Sequence, residues 1–353
     1  MKSGKVIYTE IAGIIVAALI AIIIGFIIIL IVSNEPAAAI ESFLLGPLSN
    51  GFNFGTIINK AIPLIFTGLA LSVVFQAKVF SMGAEGQLYI GAFVGTLVAL
   101  YVPGIPPVLH IPLILLSAIL AGAAFAFIPG LLKAYLNADE IVTTLMLNFV
   151  AILTTSYFVN NVFKDPGSGG FAKMLNINTE LRMVRLFHSL PIHGGIVVAL
   201  LAVVVIYLLI YKTGFGYELR IVGKNKDFAH YGGVSTKRVV VISVMLSGAL
   251  AGLGGIIEVL GVHGTFRDNF SAGLGFDGII IALLARNHPV GVLFASLFYA
   301  YLQVGAQTMQ AGSDVPRELA IIVQVLLVIL ISSKSIFAWI KEYKKKGELK
   351  HAL

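Results

Sequence analysis

The amino-acid sequence predicts an all-α integral membrane protein with about ten transmembrane helices, some of them broken or half-length. Two observations carry this. Of the 353 residues, 58% are hydrophobic and only 12% charged, whereas about a quarter of a soluble domain is charged. The apolar runs also fill nearly the whole chain and leave no room for a soluble domain, so residues 1–353 read as a single transmembrane domain.

The first run, 11–32, contains no charged residue and is long enough at 1.5 Å per residue to cross a hydrocarbon core of about 30 Å. Lys2 and Lys5 precede it as they would in a signal peptide. A cleavable apolar region is usually about 7–15 residues, so an uncleaved first helix is expected despite the small residues Ala37 to Ala39. Further spans are expected at 57–76, 86–103, 111–133, 139–162, 193–211, 239–262, 276–286, 289–308 and 317–333. The stretch 276–286 is too short to cross alone as a straight helix. Five spans per half is the arithmetic of an inverted repeat of two five-helix halves, although the halves share no strong sequence similarity.

Placing the N-terminus in the cytoplasm puts both termini inside. Of the 24 Lys and Arg, all but Lys60, Lys164, Lys173, Arg182, Arg185, Arg267 and Arg317 then fall on the cytoplasmic side, as the positive-inside rule requires. The net charge of +7 is thereby explained without nucleic acid. The basic run from Lys341 to Lys350 suits anionic membrane lipid. Two connections are long: 164–193, expected outside, and 212–238, expected in the cytoplasm. The second has a helix-capable middle between Gly216 and Gly233 that would serve either as a docking surface or as a solvated connector.

Absent cysteine removes disulfides, thiolate metal sites and a cysteine nucleophile. No zinc-protease His-Glu-x-x-His, nucleophile elbow or phosphate-binding loop is present. No catalytic residue, metal site or cofactor is therefore expected on this chain. Candidate functional residues come instead from polar groups inside apolar spans, which lipid does not tolerate unpaired. The segment Phe80 to Gln87 interrupts two spans with Gly83, Glu85, Gly86 and Gln87, and broken helices at membrane depth often line transport paths. Gly273 to Gly278, containing Asp277, has the spacing of a dinucleotide fingerprint but lacks room for a βαβ unit; it reads as the start of the short span that stops at Arg286 to Pro289. Asn59, Gln76, Asn148, Glu258, Gln303 and Gln307 are expected to face the bundle interior, through interhelical hydrogen bonds or solute contact. Gly91 with Gly95, and Gly248 with Gly252, have the spacing that lets helix backbones approach closely.

Several segments, in order, resemble the permease subunits of bacterial ABC importers of the sugar and nucleoside (branched-chain-type) group, nearest to those working with basic-membrane-protein-type lipoproteins. They are Phe80 to Gln87, Asp139 to Asn148, Gly216 to Gly233 around Leu219-Arg220-Ile221-Val222-Gly223, Ser247 to Leu253, and Phe276-Asp277-Gly278-Ile279. Ala285 and His288 depart from that pattern, where glycine and a small polar residue or asparagine are expected. The resemblance implies an inner-membrane permease subunit of an ATP-driven importer for nucleosides or related small polar solutes. It implies as partners a second permease, two cytoplasmic ATPases and an external substrate-binding lipoprotein. Candidate residues along the substrate path are Glu85, Gln87, Asn148, Asp277, Asn59 and Glu258. For ATPase docking they are Gly216, Glu218, Arg220, Gly223, Asn225 and Gly233. The alternative is an ion- or proton-coupled secondary transporter, for which Glu258 and Glu85 are the acids on hand.

Overall fold

The computed structural model describes residues 27, 29, 30, 33–187, 189–316, 321, 322 and 325. The spans expected at 11–32 and 317–333 lie almost wholly outside them. The described residues form eleven α-helices and no β-strand. These are α1 (Pro36–Leu44), α2 (Gly51–Gln76), α3 (Ala84–Tyr101), α4 (Pro107–Leu136), α5 (Glu140–Asn161), α6 (Gly195–Lys212), α7 (Gly214–Lys224), α8 (Lys226–Tyr231), α9 (Thr236–Glu258), α10 (Leu274–Leu284) and α11 (Pro289–Gly312). Each of the eight remaining expected spans coincides with one helix to within a few residues. Six helices, α2, α4, α5, α6, α9 with its terminal π turn, and α11, are long and apolar enough to cross a membrane.

The helix ends follow from local chemistry. Pro107 opens α4, where its missing N–H costs nothing, and Asn137 closes it in the left-handed region. Asp139 caps α5 by accepting from the Ile141 and Val142 amides. The structure divides into two compact units, Phe54–Ala300 and the residues up to Asn53 together with those from Tyr301 onward. In the smaller unit, the Thr308 hydroxyl donates to the Ser42 carbonyl and the Tyr301 hydroxyl to that of Leu44.

In the larger unit α9 packs chiefly on α4 and α3, which also pack on each other. Small residues make this possible: a Cβ on Gly91 would fall on Gly252, and one on Gly122 on the Gly248 carbonyl. Burial separates the helices into two kinds. The most apolar windows of α2 and α9 are 83% and 78% buried, but those of α4, α5 and α6 only 22–28%. One face of α5, with Val142, Met146, Phe149, Leu153 and Tyr157 exposed, is apolar surface that lipid or another membrane subunit has to cover.

Candidate functional site at two helix breaks

Between α2 and α3 the chain leaves the helix for residues 77–83. Phe80 folds back to stack on Phe75 at 5.1 Å, and α5 holds the rest. The Thr144 hydroxyl accepts from the Met82 amide at 3.1 Å. Asn148 donates to the Met82 carbonyl at 2.8 Å and accepts from the Gly86 amide at 2.9 Å. Both ends of that buried carboxamide are thus used on backbone groups that the break leaves without helical partners.

A second break follows α9, which ends in a π turn, Val259–His263. The chain then runs through residues 264–273 with Gly264, Asn269, Ala272 and Gly273 all at positive φ. Asn269 and Ala272 hold this conformation at a cost in backbone strain. Side chains fix the segment on three sides. Thr265 donates to the Met174 carbonyl at 2.8 Å. Asp268 accepts from Ser156 at 2.8 Å and Asn160 at 3.3 Å. Phe266 and Phe270 pack on Tyr89, with ring centroids at 6.3 and 5.0 Å.

The two breaks meet at Glu85. Its carboxylate, 3% exposed, accepts from the Gly273 amide at 3.2 Å and the Gly275 amide at 2.6 Å. Glu85 lies in the first turn of α3 and caps the first turn of α10. One negative charge therefore serves the positive ends of two helices. Gly275 permits the approach, since a Cβ there would fall on the Glu85 backbone.

The candidate path residues separate into two groups. Glu85, Gln87 and Asn148 share this junction. The Gln87 carboxamide packs beside Gly83, and its oxygen is buried with no hydrogen-bond partner among the described residues. Asp277, in α10, accepts from the Tyr299 hydroxyl at 2.7 Å. Asn59 and Glu258 lie elsewhere. Asn59 donates to the Pro191 carbonyl and accepts from the His193 amide at 3.4 Å. The His193 ring fills the space over Gly261, and Glu258 faces His263 across 3.5 Å. Gly273 and Gly275 were not anticipated as partners of Glu85. A sequence signal for them exists: Phe80-Ser81-Met82-Gly83 returns as Phe270-Ser271-Ala272-Gly273, three of four residues identical. In each copy the serine oxygen accepts an amide beside the helix start, Gly83 N–H in one and Leu274 N–H in the other.

The segment 212–238 carries α7 and α8. In α7 Gly216, Leu219, Val222 and Gly223 are buried on one face, the spacing of an amphipathic helix. A Cβ on Gly223 would fall on the Gln76 carbonyl, and Gln76 donates to the Asn287 carbonyl at 3.0 Å. Arg220 donates to the Gly216 carbonyl at 3.2 Å and stands 5.2 Å over the Tyr211 ring, which packs on His288 at 5.4 Å. Asn225 caps α8 by accepting from the Phe228 amide, and Gly233 takes a positive φ just beyond it. Thus α7 touches the C-terminal end of α2 directly and the turn after α10 through Tyr211. Tyr217, Phe228 and Tyr231 are exposed on this segment, Tyr231 at 90%. In the 164–193 segment, the Gly167 amide and Lys173 hold the Asp165 carboxyl below its usual range.

Residues 53–332 match the family described as branched-chain amino acid transport system / permease component. The chain belongs to this permease family. Relatives of the permease are similar over nearly their full length. A glucose ABC transporter permease protein of Haloferax volcanii is 35% identical, covering 92% of this chain and 87% of its own. A nucleoside ABC transporter permease protein of Lactococcus lactis is 32% identical, covering 90% of each. A guanosine ABC transporter permease protein of Bacillus subtilis is 34% identical, covering 93% and 96%. The chain is a multi-pass membrane subunit of an ABC transporter, as these similarities and the six long apolar helices among the described residues require.

Proposed function

We propose that this permease imports nucleosides or related small, uncharged polar solutes, with both termini in the cytoplasm of the cell whose inner membrane it spans. It would work with a second permease, two cytoplasmic ATPases and an external substrate-binding lipoprotein. One observation carries the choice of solute class: Glu85 already occupies the N-terminus of α10. Discontinuous helices in transporters commonly aim such ends at an anionic substrate group. Here that positive end is neutralised from within, which disfavours an amino-acid carboxylate as cargo and favours a neutral solute. Two relatives that carry nucleoside or guanosine in their names support the same direction.

In this reading Glu85, Asn148 and Asn59 shape the path walls through backbone bonds, with Gln87 beside Glu85 on α3, Asp277 on α10 and Glu258 at the end of α9. Arg267 and Asn269, exposed on the second break, with Phe270 beside them, offer hydrogen bonds and a ring face to a sugar and a base. The ATPase docks on α7 and α8, through a shape that Gly216, Gly223, Asn225 and Gly233 hold and through Glu218 and the exposed aromatics. Aromatic side chains standing free on a surface are frequent anchors of protein interfaces. Closure of the ATPases would then pull on the ends of α2 and α10 through Gln76 and through Arg220 and Tyr211.

The assembled transporter in vesicles, given labelled nucleoside, labelled glucose and a labelled branched-chain amino acid, should take up the nucleoside with ATP and no ion gradient. Uptake by this chain alone on an ion gradient would sink the reading, and accumulation of the amino acid would sink its solute assignment. Replacing Tyr217, Phe228 and Tyr231 with serine should lower ATPase retention on the purified permease by at least about tenfold; unchanged retention would place the dock elsewhere.

A further inference from the structure

The ends of α2, α4, α7 and α9 enclose a cavity of about 320 Å³. Five lysines line it, Lys78, Lys133, Lys224, Lys226 and Lys237, against one carboxylate, Glu140. Glu140 is paired with Lys133, and the Lys237 ammonium rests 4.9 Å over the Tyr135 ring. None of the ion pairs among the described residues includes Lys78, Lys224 or Lys226. Cations gathered in a concavity repel one another and raise the local concentration of anions.

Helix ends account for part of this. Lys133 and Lys224 lie in the last turns of α4 and α7, where the helix dipole favours a cation. Lys237 is the opposite case. It lies in the first turn of α9, which has neither an acidic residue nor a side-chain cap, so its charge adds to the positive end. Lys78 is held at a φ of 54°, a left-handed backbone that a lysine adopts only when the surroundings impose it. Beside the cavity Tyr135 and Leu136 are 62% and 72% exposed, an aromatic and an aliphatic side chain at the end of a lipid-facing helix, where headgroups lie.

We propose that this cavity binds a phosphate group, carried by the headgroup of an anionic phospholipid or by a soluble phosphate. Its walls include Gly223 and Ala77, so a bound phosphate would tie α7 to the end of α2. The inference does not depend on which solute the permease carries.

The test uses the purified full-length chain in detergent. Native mass spectrometry compares retention of phosphatidylglycerol with phosphatidylcholine, and equilibrium dialysis measures labelled inorganic phosphate. Preferential retention of phosphatidylglycerol assigns the site to lipid, and saturable binding of inorganic phosphate without lipid preference assigns it to a soluble source. In either case Lys78→Gln with Lys226→Gln should weaken binding about 25-fold, at about fivefold per lysine. The paired Lys78→Arg and Lys226→Arg variant should keep binding, as should Lys164→Gln, which lies outside the cavity. Absence of both a preference for phosphatidylglycerol and any binding of inorganic phosphate in the unaltered chain would overturn the proposal, as would equal binding by the glutamine variant. Loss of ATPase retention alone in that variant, with no phosphate bound to the parent, would mean that the lysines serve a protein partner, and the proposal fails.

Discussion

The two helix breaks share a four-residue pattern and differ in what they supply. The first, at 77–83, brings the carboxylate of Glu85 and is held from one side by Thr144 and Asn148. The second, at 264–273, brings bare amides and holds four residues at positive φ. It is fixed from three sides, by Met174, Ser156 with Asn160, and Tyr89. A break that donates charge has to be held still, whereas one that presents amides has to be bent until they converge. The pair works as one element only while both conditions are met.

The sharpest way to break the pair is from the receiving side. Gly275→Val would place a side chain on the Glu85 backbone, and the cost should exceed about 4 kcal/mol. The purified yield of folded protein should collapse while Gly214→Val, at a position with open space around its Cβ and no positive φ, is tolerated better. The next effect comes from the donor of charge. Glu85→Ala leaves the Gly273 and Gly275 amides buried without an acceptor, at about 1–3 kcal/mol each. Glu85→Gln keeps one acceptor oxygen and should lose roughly half as much. Unfolding midpoints in detergent rank the three proteins, and equal midpoints for the alanine and glutamine variants would deny the two-amide cap.

The smallest effect sharpens the comparison. Ser81→Ala and Ser271→Ala each remove a serine oxygen from a helix start, worth about 1 kcal/mol. Ser271 lies between Asn269 and Ala272, both at positive φ, and its oxygen holds the start of the helix whose amides reach Glu85, so its loss should lower the midpoint more than the loss of Ser81. Equal shifts would mean that the repeated motif acts identically in both places.

Much of the architecture was legible. Long apolar runs ending at Pro, Gly or charged residues placed eight helices to within a few residues, because lipid tolerates few other conformations over such lengths. The helix-capable stretch between Gly216 and Gly233 likewise marked the segment that carries α7 and α8. Glu85 and Asn148 stood out because an acid or an amide inside an apolar span needs a partner. Their partners did not stand out. The amide that Glu85 binds most closely is 190 residues away, and Asn148 reaches 62 and 66 residues back, to backbone groups that have no side-chain signature. Asn59 similarly spends its carboxamide on Pro191 and His193, a turn that nothing local connects to α2. The short Phe-Ser-x-Gly repeat was the one sequence clue that the two breaks are counterparts, and it is too brief to register as similarity between halves.

That 190-residue separation also sets a timetable for biosynthesis. At ribosomal rates of about 5–20 residues per second, roughly 10–40 s pass between the synthesis of Glu85 and that of Gly275. Throughout that interval Glu85 has the start of its own helix but not the Gly273 and Gly275 amides that cap it in the finished fold. The segment beginning at Glu85 therefore has to wait at the membrane surface, or beside an insertase, until the second half delivers its amides. Slowing translation between α5 and α10 should leave the start of α3, ahead of every other helix, accessible to reagents from the aqueous side.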